Sequence, residues 1–436
     1  MQYGDKCTMN AQVKVSIIIP VYKGAEFLRR SFDSAIYQTL PEVEVIAVND
    51  FSPNPRDAEI MREYEEIYPD KFHALYHDMN TRQGGARNTG IKSSKGDYFL
   101  CLDQDDYIDL HMCEKMYKKA KDDNAEIVIC SFAHLSDGRM IIQKPNLGIE
   151  SADINARLTQ FYQSVVWVML VNKNVVERNL LYFPVNNTAD DIIAAFWYYA
   201  ANRISRLDDV MYFHTDNLYQ TRKVQTDHFR EHPVACARLL EYPYYKELST
   251  GARCEIDETI SRFLLNIFLK LVIFNTSIIR DIKSILSAWN EYKEILNRLL
   301  HSHKKTMVID YIDSEINKTD FTDIVSDKTR LIFNINMIYR YEDKFANKNI
   351  VIWGAGIRGK SLAGYLEENK ISFEITDKNQ ALYNQNFCGK YVKPWADLRD
   401  SADIVIVSPW KVLDEVKTMI NNPNICVIDY ADFLHV

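Results

Sequence analysis

The chain has 436 residues, 47% of them hydrophobic, and a formal net charge of −8. A chain of this length can bury two or three cores, and its acidic balance argues against nucleic acid as a main partner, which calls for a basic stripe. It holds no apolar run of about 18 residues, so no membrane-spanning helix is expected.

Residues 1–12 read as a tail without the basic-then-apolar order of a signal peptide. The eight cysteines, at 7, 101, 113, 130, 236, 254, 388 and 426, lack the paired spacing of zinc or redox sites. They are expected to be small buried residues in a reducing, cytoplasmic compartment. Val13 to Val21 (VKVSIIIPV) predicts a strand stopped by Pro20, Glu26 to Gln38 has helical spacing, and Glu44 to Val48 predicts a second strand ending at Asn49-Asp50. The strands are apolar on both faces, as in a parallel sheet covered on both sides. Ligands of such sheets bind beyond the carboxyl ends of strands, where Pro20, Tyr22, Asp50 and Asp103 fall.

The run Gly96 to Asp106 (GDYFLCLDQDD) is the most informative. Its apolar strand ends in three carboxylates. In an extended segment Asp103 and Asp105 point the same way, and hard oxygen ligands suit Mg²⁺ or Mn²⁺ completed by substrate phosphates. The alternative is a solvated turn or a helix N-cap. From about 228 to 335 the pattern is helical, with Ile260, Phe263, Leu264, Ile267, Phe268 and Leu271 at three- and four-residue steps. A helix this apolar reads as a core helix. Residues 260–275 could otherwise attach to a membrane surface or to a second copy of the chain. Asn317 to Arg330 reads as a polar linker.

Near Asn347 a strand, Ile350 to Trp353, runs into Gly354-Ala355-Gly356-Ile357-Arg358-Gly359, then a helix with Leu362, Tyr365 and Leu366, then a strand ending at Asp377. This is the context of a dinucleotide fingerprint, so Gly354, Gly356, Gly359 and Asp377 form a possible second nucleotide site in a Rossmann-like domain. The same glycines also permit a tight turn and close helix–strand packing without a ligand, and a structural or regulatory module is the favoured reading over a bound dinucleotide.

Five blocks occur in a telling order: Ser16 to Tyr22, Val48-Asn49-Asp50-Phe51-Ser52, Ala86-Arg87-Asn88-Thr89-Gly90, Lys95 to Tyr98, and Asp103-Gln104-Asp105-Asp106. Together they resemble the family 2 glycosyltransferases of GT-A fold, and the resemblance continues through Trp167 and Asp190-Asp191 to about residue 225. It implies an α/β chain with a GT-A-type mixed sheet flanked by helices over 13–227, a helical region over 228–335 and a small Rossmann-like parallel-sheet domain over 336–436. It further implies an inverting transfer from a nucleotide-diphosphate sugar, of UDP type, to a hydroxyl on a glycan or lipid-linked glycan, in surface or capsular polysaccharide synthesis.

By that resemblance Pro20, Tyr22, Asp50, Arg87 and Asp103 hold the donor nucleotide, with Asp103 on the ribose side. Asp105 and His214 hold the Mg²⁺ or Mn²⁺ ion, and Asp106 is an outer or acceptor-side group. Asp191 is the base, with Asp190 beside it and the choice between the two open. Two departures stand out: Phe51 replaces a glycine of the Asp-Asp-Gly-Ser block, and Arg82 replaces the glycine expected two residues after Asn80. A competing reading is an oxidoreductase or a regulatory protein using the C-terminal glycine motif to bind NAD(P) or a sugar nucleotide. The last region lacks an evident Tyr-x-x-x-Lys set for hydride transfer. The protein is expected in the cytoplasm or at the inner face of a membrane.

Overall fold

The computed structural model describes residues 12–136, 139–143, 165–185, 192–215, 226–274, 282–299, 309–310, 312–314, 342–345, 347–368, 370–409 and 412–430. The chain divides into two compact units, residues 1–264 with 294–300 and residues 265–293 with 301–436.

The first unit is built on a nine-stranded mixed sheet with the order β3-β2-β1-β4-β8-β6-β9-β5, β7 pairing with β6. These strands are β1 Val15–Val21, β2 Val43–Asn49, β3 Phe72–Tyr76, β4 Tyr98–Cys101, β5 Tyr107–Ile108, β6 Ile127–Ser136, β7 Arg139–Gln143, β8 Met169–Asn172 and β9 Ile204–Thr215. The first four are mutually parallel, and β8 then runs antiparallel between β4 and β6. Both faces of β1 and β2 are buried, as their unbroken apolar sequence requires.

Strand β1 does not stop at Pro20 but runs through it to Val21. Backbone groups of alternate residues face the same neighbour, and Ile18 O accepts from Leu102 N–H on the β4 side. Pro20 therefore faces that side too, where the β4 pairing has already ended at Ile18–Cys101. Its missing N–H removes no ladder bond.

The helices α1 Leu28–Ile36, α2 Pro55–Ile67 and α3 Arg82–Ser93 follow β1, β2 and β3. α1 buries Leu28, Phe32, Ala35 and Ile36, the residues at helical spacing, and Phe32 meets Phe72 edge-on at 4.9 Å between centroids. α3 lies close over β1 because Gly90 has no side chain: a Cβ there would come within 2.3 Å of the Ile18 side chain. The helix α5, after α4 Met112–Asp122, is Ile193–Ala200, with Ile193 to Tyr198 all buried. Helices Thr226–Leu239, Pro243–Glu247, Thr250–Phe274 and Ile282–Arg298 match the expected helical region, in which Ile260, Leu264, Leu265 and Phe268 are buried. No helix among the described residues is long and apolar enough to cross a membrane. The expected linker over 317–330 lies outside the described residues.

The second unit carries a six-stranded sheet, β12-β13-β11-β10-β14-β15, parallel except for the β12–β13 hairpin. Its strands are β10 Ile350–Trp353, β11 Phe373–Thr376, β12 Asn386–Phe387, β13 Lys390–Lys393, β14 Ile404–Val407 and β15 Cys426–Asp429. Helix α6, Ile357–Glu368, follows β10, and α7, Leu413–Ile420, follows β14. Among the described residues no cysteine is disulfide-bonded, and Cys101, Cys113, Cys130 and Cys236 are buried as expected, whereas Cys254 and Cys426 are exposed.

Phe51 and Arg82 both adopt left-handed backbone, at φ 56° and φ 64°. A side chain in that region costs about 1–2 kcal/mol, against a smaller gain from the less entropic unfolded chain. Phe51→Gly and Arg82→Gly should each therefore stabilise the protein by roughly 0.5–1 kcal/mol, read as a higher urea midpoint at unchanged slope. A lower midpoint for both variants would show that side-chain contacts outweigh the strain.

Candidate active site

Parallel pairing brings the ends of β1, β2 and β4 to one edge of the sheet. Asp50, just past β2, is buried, and its Oδ1 accepts from Thr81 N–H at 2.8 Å, from the Thr81 hydroxyl at 2.9 Å and lies 2.8 Å from His77 Nδ1. Among the described residues all its side-chain bonds fall on Oδ1, so Oδ2 keeps its capacity to accept. The far nitrogen of His77 reaches the Thr89 hydroxyl at 2.8 Å, fixing the ring from both sides.

The loops after β1 and β2 are tied to each other. Ser52 Oγ accepts from Lys23 N–H at 3.0 Å and donates to Asp57 Oδ2 at 2.7 Å, which also accepts from Gly24 N–H at 3.2 Å. Tyr22 is 40% exposed, while its backbone is held by Gln104, whose Oε1 accepts from Tyr22 N–H and whose Nε2 donates to Tyr22 O, both at 2.9 Å. Pro20 is buried within β1.

The acid run is not extended. Asp106 N–H donates to Asp103 O at 3.1 Å, closing a turn over Gln104-Asp105, so the idea that Asp103 and Asp105 share a direction by strand alternation is replaced by turn geometry. A charge-dense segment beyond the last ladder bond turns back toward donors instead of continuing outward. Asp103 Oδ1 accepts from Arg87 Nη2 at 2.8 Å and from Gln83 Nε2 at 2.7 Å. Arg87 is only 1% exposed and lies over the Phe183 ring at 5.3 Å, so it is a buried anchor of the acid turn rather than a surface ion pair. The next residue, Asn88, exchanges two hydrogen bonds with the Phe183 backbone, at 2.8 and 2.9 Å. One turn of α3 thus holds both the acid turn and the backbone at Phe183. Asp190 and Asp191 lie outside the described residues; α5 begins at Ile193 after its N-cap Ile192.

Asp105 is buried, and its carbonyl accepts from Arg30 Nη2 at 2.5 Å and from the Thr215 hydroxyl. Asp106 Oδ2 accepts from the Tyr212 hydroxyl at 2.8 Å and Oδ1 from Thr215 N–H at 2.8 Å. Burial, together with the charges of Asp103 and Asp105, pushes the Asp106 carboxyl up to about 8. Burial also holds the Tyr212 phenol well above its ordinary value, so it stays protonated while accepting from Asp103 N–H at 3.2 Å. His214 sits one residue before Thr215, its Nδ1 2.8 Å from His134 Nδ1 and its ring stacked with that of His134. Trp167 stacks on Tyr212 at 4.4 Å and on His214 at 5.6 Å. Among the described residues no group of three or more His, Cys, Asp or Glu side chains is arranged around one point.

The structure therefore gathers Pro20, Tyr22, Asp50, Arg87, Asp103, Asp105 and Asp106 at one sheet edge, with His214 on the strand that backs it. Sequence reasoning missed Gln83, Gln104, His77, Thr81 and Tyr212. Only Tyr212 carried a signal, since it lies two residues before His214 and so shares its strand face.

The Gln104 clamp has a steric partner. A Cβ on Gly24 would lie 2.2 Å from Gln104 Oε1, the movable end of a side chain that would have to leave Tyr22. Gln104→Ala and Gly24→Ala should each cost about 1 kcal/mol of stability, and the double variant no more than either single one. Additive losses in that double-mutant cycle would show that the clamp is not what Gly24 protects.

Residues 16–176 match the family model described as glycosyl transferase family 2. The chain is 31% identical over 215 residues to the uncharacterized glycosyltransferase EpsJ of Bacillus subtilis, covering 47% of this chain and 61% of that protein. It is 28% identical over 189 residues to the poly(ribitol-phosphate) beta-N-acetylglucosaminyltransferase TarP of Staphylococcus aureus, covering 41% and 55%. The chain thus spans about six-tenths or less of these relatives' own length. Residues 1–349 of S. aureus TarS, crystallised with UDP-GlcNAc, share the fold at a TM-score of 0.53 and 16% identity, over 76% of this chain and 92% of that one. The mixed sheet is of GT-A type, and residues 16–176 match the model of glycosyl transferase family 2.

Proposed function

We propose that the first unit moves a sugar from a nucleoside-diphosphate sugar, of UDP type, to a hydroxyl of a glycan or lipid-linked glycan, with inversion at the anomeric carbon. The observation that carries the reading is the convergence of Asp50, Asp103 and Asp105 on one sheet edge, with Arg87 buried behind the acids. TarS was crystallised with UDP-GlcNAc and TarP is named for transfer of N-acetylglucosamine to poly(ribitol-phosphate), which supports a UDP-sugar donor and a cell-surface polymer as acceptor.

Each step has a residue suited to it. Asp50 accepts from the base N–H, Asp103 faces the ribose, and Tyr22 closes the exposed side of the slot. Asp105 would hold a divalent ion, with His214 as a further ligand. The carboxylate oxygen of Asp105 is a hard donor of the kind Mg²⁺ or Mn²⁺ takes, and substrate phosphates and water would complete the shell. When bound, such an ion neutralises charge on the departing diphosphate. Asp191 takes the acceptor proton, with Asp190 as the alternative base. Attack in line from the face opposite the diphosphate inverts the sugar without a covalent intermediate. The enzyme would work in the cytoplasm, against the inner face of the membrane when its acceptor is lipid-linked.

The test is a screen of UDP- and GDP-sugars for hydrolysis and transfer by the full chain. Asp105→Ala, and EDTA on the unaltered protein, should abolish turnover with the fold intact; full activity of Asp105→Ala in metal-free buffer removes the ion from the reading. Asp191→Asn keeps shape but loses the proton acceptor, so turnover should fall about 10²- to 10⁴-fold while donor binding persists. If Asp190→Asn shows that loss and Asp191→Asn does not, the base is Asp190.

A further inference from the structure

The carboxyl edge of the second sheet opens into a cavity of about 400 Å³ lined from α6 by Ile357 and Arg358 and from α7 by Glu415 and Met419. It sits where neighbouring strands diverge. α6, which follows β10, packs Leu362, Ala363 and Leu366 against Ile350, Ile352 and Ile375. α7, which follows β14, packs Val416 and Ile420 against Val351, Trp353, Val405 and Val407. Alternate strand residues face opposite ways, so the two helices cover opposite faces of the sheet, and β10 and β14 part at the cavity.

The three glycines of the turn answer different constraints. Gly354 is at φ 112° with a built Cβ 2.6 Å from Ser408 and Pro409, and a Cβ on Gly359 would lie 1.9 Å from Gly354 O. The fold requires both. Gly356 has nothing within 4 Å of its Cβ position and ordinary φ, so no atom of the described chain asks for glycine there. What its missing side chain leaves is open cavity beside the first-turn amides of α6, room in which a phosphate can approach backbone N–H groups. The surrounding groups suit the rest of a nucleotide. Asp377 braces the turn, its Oδ2 accepting from Ala355 N–H at 2.7 Å and its Oδ1 from Asn379 N–H at 2.8 Å, and each oxygen keeps a second lone pair. Ile357 is 89% exposed and Met419 49% exposed at the mouth, an apolar lip with no cover from the described chain.

We propose that this cavity binds one nucleoside phosphate: phosphate against the open face of Gly356 with Arg358, ribose hydroxyls on the carboxylates of Asp377 and Glu415, and the base against Ile357 and Met419. A single nucleotide is favoured over a dinucleotide because only β14 and β15, joined through α7, lie beyond the parting of the strands. No second complete mononucleotide half exists there to hold another nucleotide.

Calorimetry of the full chain with ADP, CDP, GDP and UDP tests this, with NAD in parallel. The site is read as the binding component that persists in Asp50→Ala, which disables the donor slot. At least one diphosphate should bind there with a Kd below about 1 mM. Gly356→Asp, at a position with room for a side chain, should weaken that component about tenfold or more by setting a carboxylate where phosphate belongs, at an unchanged melting temperature. If that variant melts early, Arg358→Ala decides, with an expected loss of several-fold. The proposal is overturned if no diphosphate binds in Asp50→Ala, if binding there survives the deciding variant, or if NAD binds more tightly than every nucleoside diphosphate.

Discussion

Three carboxylates within four residues, Asp103, Asp105 and Asp106, must coexist beyond the end of β4, and most of the first unit's irregular architecture serves that constraint. Like charges at contact distance repel by several kcal/mol at protein-surface dielectric. Each acid is accordingly given a different environment. Asp103 takes Gln83 and the guanidinium of Arg87, Asp105 is fixed through its carbonyl by Arg30 and Thr215, and Asp106 is buried against Tyr212 and Thr215. The donors come from α1, α3 and β9. The antiparallel pairing of β9 with β5, Tyr107 opposite Phe213 and Ile108 opposite Tyr212, sets Tyr212 and Thr215 close to the turn.

A single segment of α3 ties the acid turn to the backbone at Phe183. Arg87 and Asn88 are adjacent, yet the first binds the acid turn and the second grips the backbone of Phe183, whose ring in turn lies under Arg87. A change that shifts α3 would move the acid turn and the backbone at Phe183 together. The close approach of α3 to β1 at Gly90 limits such shifts, because backbone and strand are already in contact there.

Much of this was legible in the sequence where the signal was local. Unbroken apolar runs marked β1, β2, β4 and β10, and helical spacing marked α1 and the run through Ile260, Leu264 and Phe268. The order of short blocks pointed to the family. Contacts joining residues far apart in the chain were not legible, since no periodicity links Gln104 to Tyr22, His77 to Asp50 or Tyr212 to Asp106. Alternation also misled: it placed Asp103 and Asp105 on one face of an extended segment, whereas the loss of ladder partners after Cys101 lets the chain turn. Pro20 was taken as a stop because its pairing side could not be known before the length of β4 was.

Glycine use separates the two units. In the first, Phe51 and Arg82 occupy left-handed backbone that glycine would enter without strain, at the loop after Asp50 and at the start of α3. Strain of this kind persists only where the surroundings fix the backbone, and here they do: Asn49 Oδ1 accepts from Ser52 N–H on one side of Phe51, and Asn80 Oδ1 accepts from Arg82 N–H itself. Phe51 is 58% exposed, so burial of its ring in the core does not offset that strain. In the second unit the relation is reversed at Gly356, where glycine stands without a steric or conformational demand. An interior glycine also loses helix propensity and adds unfolded-state entropy. Strain carried by an exposed aromatic at one sheet edge, and freedom left unused by a glycine at the other, both mark positions where the folded chain alone does not account for the residue.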